Sequence, residues 1–302
     1  MKTRLAPLSF VVATALLLAA STVHAQLTKP FLWELTKGEG KDAKVVTLFG
    51  SLHVGKPDFY PVPESVQKRF DQSKVLAVEA DVTMAETQQV CTKLAETKDS
   101  KDKLEAVLSS EDFAALGGYM RAASIPESAV EGKKLWLVNL VVLGAELGQL
   151  GVDFSRGLDV VFLREAKYAR MKVVEVEGGA VQCGVLANAS VAETKAAMTR
   201  FLESVRQNKM EKRLNEMLAA YRAGDGVALT KLVAEDFGST AEGAAAKRRI
   251  FDDRHTPMAE KIDGYFKQPE NHFVVVGVGH MFGENNLIEA LAKRGIKAKR
   301  IE

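Results

Sequence analysis

Cysteine is scarce in this chain: Cys91 and Cys183 are the only two among 302 residues. Two cysteines exclude a cysteine zinc cluster and a multi-bridge disulfide framework, and neither lies in a CxxC motif or beside a histidine. A catalytic thiol is thereby set aside, while a Cys91–Cys183 bridge stays open if the compartment is oxidising. An excess of charge is missing too, with 41 Lys and Arg against 39 Asp and Glu. A near-neutral chain carries no electrostatic footprint for nucleic acid or anionic membrane. There is no HExxH helix, GxSxG elbow or P-loop, no repeat of solenoid length and no low-complexity tract. Any metal ligands must therefore converge from distant segments.

What is present begins with an export signal. Lys2 and Arg4 precede a short apolar core from Leu8 to Ala20, and Val23-His24-Ala25 fits the small-residue rule for cleavage before Gln26. The apolar stretch is too short and wrongly flanked for a membrane span, and no cysteine at the cleavage point offers a lipid anchor. The expectation is a signal peptide over 1–25 and a periplasmic or secreted domain over 26–302, with no transmembrane segment in the mature chain. Loss of Lys2 and Arg4 leaves 39 basic and 39 acidic residues in a mature chain of 277, enough for one large domain.

The pattern along that domain is α/β. Residues 31–36 and 44–49, joined by a glycine-rich polar turn at 38–42, read as a hairpin. Pro57, Pro61 and Pro63 mark a rigid loop, and a short helix runs from Glu64 to about Gln72. Val75-Leu76-Ala77-Val78 reads as a buried strand. From Met84 to about Leu150 the periodicity is helical, ending in the apolar core helix around Leu135-Trp136-Leu137-Val138. Gly151–Gly157 is a loop, Leu158–Arg170 a helix, Val173–Val176 a strand, and residues 184–268 almost wholly helical. A strand at 273–278, a helix at 284–294 closed by Gly295 and a strand at 296–301 complete the chain. Strands at both ends and in the middle predict a single central, mostly parallel sheet with large helical insertions.

Two segments repeat one arrangement. Gly50-Ser51-Leu52-His53 follows the apolar run ending at Phe49, and Gly277-Val278-Gly279-His280 follows the run ending at Val276. Each reads as strand, glycine turn, then a histidine just past the strand end, where ligands bind in α/β folds. Two imidazoles arriving together would form a metal site or an acid–base pair. Glu79 ends another strand and could ligate a metal, orient a histidine or act as a base, against the plain alternative of a solvated terminus. Glu175 and Glu177 repeat that arrangement. If the strands run parallel, His53, Glu79, Glu177 and His280 reach one sheet edge, with helical insertions covering it and excluding water. His255, beside Asp252, Asp253 and Arg254 at a helix start, is accounted for by solvation or capping, and His272 has no expected role. Gly277, Gly279 and Gly283 superficially match a dinucleotide fingerprint with Glu302 as its acid, but an exported protein meets no ready nicotinamide pool, so that reading is set aside.

These residues resemble a known family. Leu32-Trp33-Glu34-Leu35, Leu48-Phe49-Gly50-Ser51-Leu52-His53-Val54, Asp58-Phe59-Tyr60-Pro61 and Val78-Glu79 are similar to the opening of TraB/GumN family proteins. Val275-Val276-Gly277-Val278-Gly279-His280-Met281 is similar to that family's end. Gly157-Leu158-Asp159, Phe162-Leu163, Glu177 with Gln182, and Arg254 with Met258-Ala259 and Ile262 match its pattern between them. The family is similar to the Tiki metal-dependent proteases and related in fold to erythromycin esterases and ChaN-type proteins. The chain departs from it at Lys134-Leu135-Trp136, where Lys-Pro-Trp is common, and at Gly178-Gly179, where Thr and a bulky residue are usual.

The resemblance implies a divalent metal ion (zinc, manganese or cobalt) held by His53, His280, Glu79 and Glu177, with Glu79 as ligand or base and Arg254 stabilising charge on a substrate oxygen. The expected activity is hydrolysis of a peptide, or of a related amide or ester in a small molecule. The alternative is a non-catalytic binding protein for haem, metal or a cell-envelope ligand, its apolar pocket lined by Phe59, Tyr60 and Met281.

Overall fold

The computed structural model describes residues 27–40 and 43–301. The expected signal peptide, the turn residues Lys41 and Asp42, and Glu302 lie outside the described residues. Six strands form one sheet: β1 (Leu32–Lys37), β2 (Lys44–Ser51), β3 (Val75–Val78), β4 (Lys172–Glu175), β5 (His272–Gly277) and β6 (Lys297–Arg300). Their order is β4-β3-β5-β2-β1-β6. β4, β3, β5 and β2 are mutually parallel, and β1 is antiparallel to both β2 and β6. The sheet is thus mostly parallel, as the sequence predicts.

The four apolar runs take their places because helices cover both faces. Every residue of β3 and β5 is buried, as expected of central parallel strands. Phe49 of β2 and Phe273 of β5 meet Phe162 of helix Leu158–Tyr168, with ring centroids 5.5 and 5.2 Å away. The edges are protected differently. β4 is four residues long and only half buried, and β6 turns Lys297 and Lys299 to solvent.

Register then sets the site. Ser51 lies opposite Gly277, and Val78 lies opposite both Val275 and Glu175. The carboxyl ends of β2, β5, β3 and β4 consequently finish side by side.

Helical sequence fills the two long crossovers. Helices Ser110–Ala122, Leu135–Gln149 and Val191–Arg206 share a second apolar cluster, separate from the sheet core, built on Leu116, Val138, Val142 and Met198. Among the described residues, no helix is long and apolar enough to cross a membrane. Cys91 and Cys183 are joined, tying helix Ala85–Ala95 to helix Gly179–Ala187 with Cα atoms 5.2 Å apart. The latter helix begins at Gly179, not near 184. A Gly-Gly pair reads as a loop, but Gly178 takes φ +98° and Gly179 leaves room for Thr87, whose Oγ1 would lie 2.3 Å from any Cβ there. The last helix, Leu287–Ala292, is shorter than the expected 284–294, since Val278–Met281 forms a 3₁₀ turn and Asn286 caps the helix by accepting from the Glu289 amide at 3.0 Å.

Candidate functional site

Past the strand ends, the sheet delivers three groups to one place. His53 follows β2, Glu79 follows β3 and His280 sits in the turn after β5. Glu79 Oε1 faces His53 Nε2 at 3.8 Å and His280 Nε2 at 3.9 Å. Glycines make this approach possible. A Cβ on Gly277 would lie 2.9 Å from His53 Nε2 and 3.1 Å from Glu79 Oε1, and one on Gly279 would meet the Phe251 ring at 2.7 Å. The glycines of the second turn therefore clear space for His53, Glu79 and Phe251, whereas Gly50 of the first turn makes room for Phe31 and Val278.

Glu79 is no solvated terminus: it is 6% exposed. Its Oε1 accepts from the Gly277 amide at 2.5 Å. Its Oε2 accepts from Arg254 Nη2 and from Gln182 Nε2, both at 2.8 Å. Burial alone would raise its pKa, but the charges of His53 and Arg254 and the Gly277 amide outweigh burial and hold the carboxyl far below the usual carboxylate range.

Glu177 reaches the same cluster from behind. Its oxygens accept from Arg254 Nη2 at 2.5 Å, Arg254 Nε at 3.0 Å and Gln182 Nε2 at 2.7 Å. Arg254 also donates from Nη1 to the Ile250 carbonyl at 2.8 Å. Each of its three nitrogens thus has a partner, and Arg254 holds the two carboxylates while one face of it lines the adjoining cavity. Glu177 likewise braces Arg254 and Gln182 and does not face the histidines. Glu175 stands apart, accepting from the Asp81 amide at 2.7 Å.

The two histidines differ sharply. His53 keeps 52% of its side chain exposed, and its Nδ1 bonds Asp159 Oδ2 at 2.9 Å. Desolvation by the surrounding protein opposes its protonation, but Asp159 by charge and hydrogen bond, and Glu79 by charge, push its pKa up to about 9. The helical insertions accordingly leave the His53 side of the edge open to water. His280 is 2% exposed, and Phe251 packs edge-on against its ring. Burial outweighs the pull of Glu79 and lowers its pKa to about 3, so the imidazole is neutral. Its Nδ1 lies 3.0 Å from Nε2 of His255, a residue as deeply buried as His280 itself.

Asp159, Gln182 and His255 are the residues that sequence reading did not select. Asp159 stood within the family-like Gly157-Leu158-Asp159 and Gln182 beside Glu177, so both had a signal. His255 had none, since Asp252-Asp253-Arg254-His255 reads as a solvated helix start.

A cavity of about 360 Å³ opens from the cluster. Leu186, Met217, Leu229, Val233, Phe251 and Phe282 line it, with His53, Glu79 and His280 at one end. Phe59 and Met281 do not line it and are buried in the core, and Tyr60 donates its hydroxyl to the Arg156 carbonyl.

Two imidazole Nε2 atoms and one carboxylate oxygen form a donor set that suits a divalent cation, with Asp159 and His255 behind the imidazoles as partners of their Nδ1 atoms. The 3.8 and 3.9 Å separations are a few tenths wider than the about 3–3.5 Å between two ligands of one zinc. Among the described residues, no group of three or more His, Cys, Asp and Glu side chains is drawn close enough to hold a metal as placed. Closing the set around one ion requires both histidine–carboxylate separations to shorten by a few tenths of an ångström.

A parallel sheet with a His–Glu–His cluster at its carboxyl edge defines an α/β protein of the two-GxxH type. The TraB/PrgY/gumN family model matches residues 31–300, and the chain belongs to that family. It is similar to the uncharacterized protein YbaP of Escherichia coli (strain K12), at 24% identity over 81% of this chain and 86% of the relative, and equally to its counterpart in Shigella flexneri. No solved structure matches.

Proposed function

We propose that this protein is an exported, metal-dependent hydrolase of peptide bonds or related amides and esters. One observation carries the reading: Glu79 Oε1 faces two imidazole nitrogens at 3.8 and 3.9 Å, at the end of a cavity with an apolar wall. A divalent ion such as zinc, manganese or cobalt would polarise a substrate carbonyl and bring the pKa of a bound water towards neutrality. His53 and His280 would hold it, with Glu79 Oε1 as third ligand or as acceptor of the water's proton. Arg254 and Gln182 fix the Glu79 carboxylate, and Asp159 fixes the His53 ring. The apolar wall would receive an apolar group of the substrate beside the scissile bond. The Cys91–Cys183 bridge supports export to the periplasm or beyond, since such bonds persist in oxidising compartments. N-terminal sequencing of the mature protein should begin at Gln26.

The same apolar wall favours a second reading, in which haem, a metal or a cell-envelope ligand is bound without turnover. Metal content by mass spectrometry and hydrolysis of a peptide and ester panel separate the two. His53→Ala and His280→Ala should each lose bound metal and activity at least tenfold. Full metal content and activity in both variants would end the hydrolase reading. A Soret band on haem titration without hydrolysis would favour the second.

A further inference from the structure

The helix Asp253–Tyr265 presents two consecutive side chains to the site, and they do different work. Arg254 grips the carboxylates, while His255 turns to the turn that carries His280. His255 is 2% exposed, and both its ring nitrogens have partners. Nδ1 lies 2.7 Å from the Asn285 carbonyl and Nε2 lies 3.0 Å from His280 Nδ1. The rings of His255 and His280 stand edge to face, with centroids 5.1 Å apart and planes at 89°. Asn285 takes φ +56°, a left-handed conformation that asparagine tolerates, and its carbonyl is turned towards His255.

Hydrogen-bond roles follow from this chain of contacts. A carbonyl only accepts, so His255 Nδ1 must carry the proton that it donates to Asn285. A buried imidazolium beside the Arg254 guanidinium would lack a carboxylate partner, so the ring is neutral and its Nε2 can only accept. His280 must then donate from Nδ1. Its own Nε2 is left with a lone pair, facing Glu79 Oε1 at 3.9 Å. Two acceptors aimed at one another in a buried place repel unless something positive lies between them. An unrestrained imidazole, by contrast, exchanges between its two tautomers.

We infer that His255 is a positioning residue, which donates from Nδ1 to the Asn285 carbonyl, accepts at Nε2 and thereby locks His280 in the Nδ1–H tautomer with its Nε2 lone pair towards Glu79. The use of that lone pair to hold a cation rests on the proposed function, but the tautomer itself does not. Nothing in the paired glycine–histidine motifs marks His255, whose role exists only because helix Asp253–Tyr265 packs beside the turn after β5.

The test begins on metal-free protein labelled with ¹⁵N-histidine. Long-range ¹H–¹⁵N correlation spectra should show His280 protonated at Nδ1 and bare at Nε2. In His255→Leu the two tautomers should mix or invert. Zinc affinity measured by calorimetry should fall by roughly 10–100-fold in His255→Leu, the usual cost of losing a partner behind a metal ligand. His255→Gln should recover most of it, because one side-chain amide can donate to the Asn285 carbonyl and accept from His280. A merely structural role would not be rescued in this pattern, and the melting curve of His255→Gln serves as the folding control. A proton found on His280 Nε2 in the unaltered protein would overturn the inference, as would an unchanged tautomer in both variants. Failure of the unaltered protein to bind zinc, with the Nδ1–H tautomer observed, would overturn the metal-dependent function and leave the positioning role standing.

Discussion

Gly277 is the residue on which the spacing of the site turns. Its amide holds Glu79 at 2.5 Å, and its missing side chain leaves the place that His53 Nε2 and Glu79 Oε1 overlook. Gly277→Ala puts a methyl group 2.9 Å from that nitrogen, closer than Cβ atoms pack. The backbone at Gly277 has φ −53°, so alanine is not strained there by its conformation. The fold should survive with a small loss of stability, while zinc affinity falls about tenfold or more as the His53 ring is pushed outward. Calorimetric zinc titration together with a thermal melt checks both halves, and unchanged affinity would mean that the ring is free to move aside.

The titrating groups of the site give opposite pH limbs. Glu79 and His280 have depressed pKa values in the fold, so their contributions are present above the ordinary values of about 4.3 and 6.5 and are lost as pH falls below them. His53 is raised to about 9, so its contribution is complete below about 6.5 and disappears as pH rises towards 9. Metal-free protein should therefore melt highest near pH 6–7. The acid limb should be the steeper, because Glu79 and His280 are buried while His53 is half exposed and screened by water. A melting temperature flat from pH 4 to 9 would contradict these assignments.

At the scale of elements, helix Gly179–Ala187 links the disulfide to the site. It carries Cys183 and, one residue before it, Gln182, whose amide bridges Glu79 and Glu177. The bond closes a sequence separation of 92 residues, for which loop-closure entropy gives about 4.6 kcal/mol and measured values run about 2–5. Cys91→Ser with Cys183→Ser should lower unfolding free energy within that range, read by urea melts under non-reducing conditions. It should also weaken zinc binding severalfold by loosening Gln182. Loss of stability with unaltered affinity would separate the bond from the site.

Elements were unequally legible in the sequence. The strands read at 75–78 and 273–278 are plain because each is a continuous apolar run, the pattern forced on a strand covered on both faces. β4, read at 173–176, and β5 both begin one residue earlier in the structure, on Lys172 and His272, because a polar first residue falls outside an apolar run. Helix Gly179–Ala187 was missed at its start because two glycines normally signal a loop, and only packing against Thr87 shows why they stand in a helix. His53, Glu79, Glu177 and His280 could be named because each follows an apolar run at once. Asp159 and His255 sit on helices, where a polar residue is ordinarily a solvated one, and their roles depend on which helix lies against which strand.

For the molecule as a whole, strand order has a consequence for when function can arise. β5 lies between β3 and β2, although 193 residues separate it from the end of β3 and 220 from the end of β2. Until it inserts, β2 and β3 have no shared neighbour, Gly277 offers no amide to Glu79, and His280 is not in place. Such non-local closure is slow and must await the last part of the polypeptide. A nascent chain would thus carry His53 and Glu79 without their neighbours from β5 until synthesis is nearly finished. A truncation ending at Glu270 should keep helical circular dichroism but lose cooperative melting, and adding residues 271–302 as a separate peptide should restore it. The late strand thus acts as a timer: the His53, Glu79 and His280 cluster cannot assemble before the last part of the chain is in place.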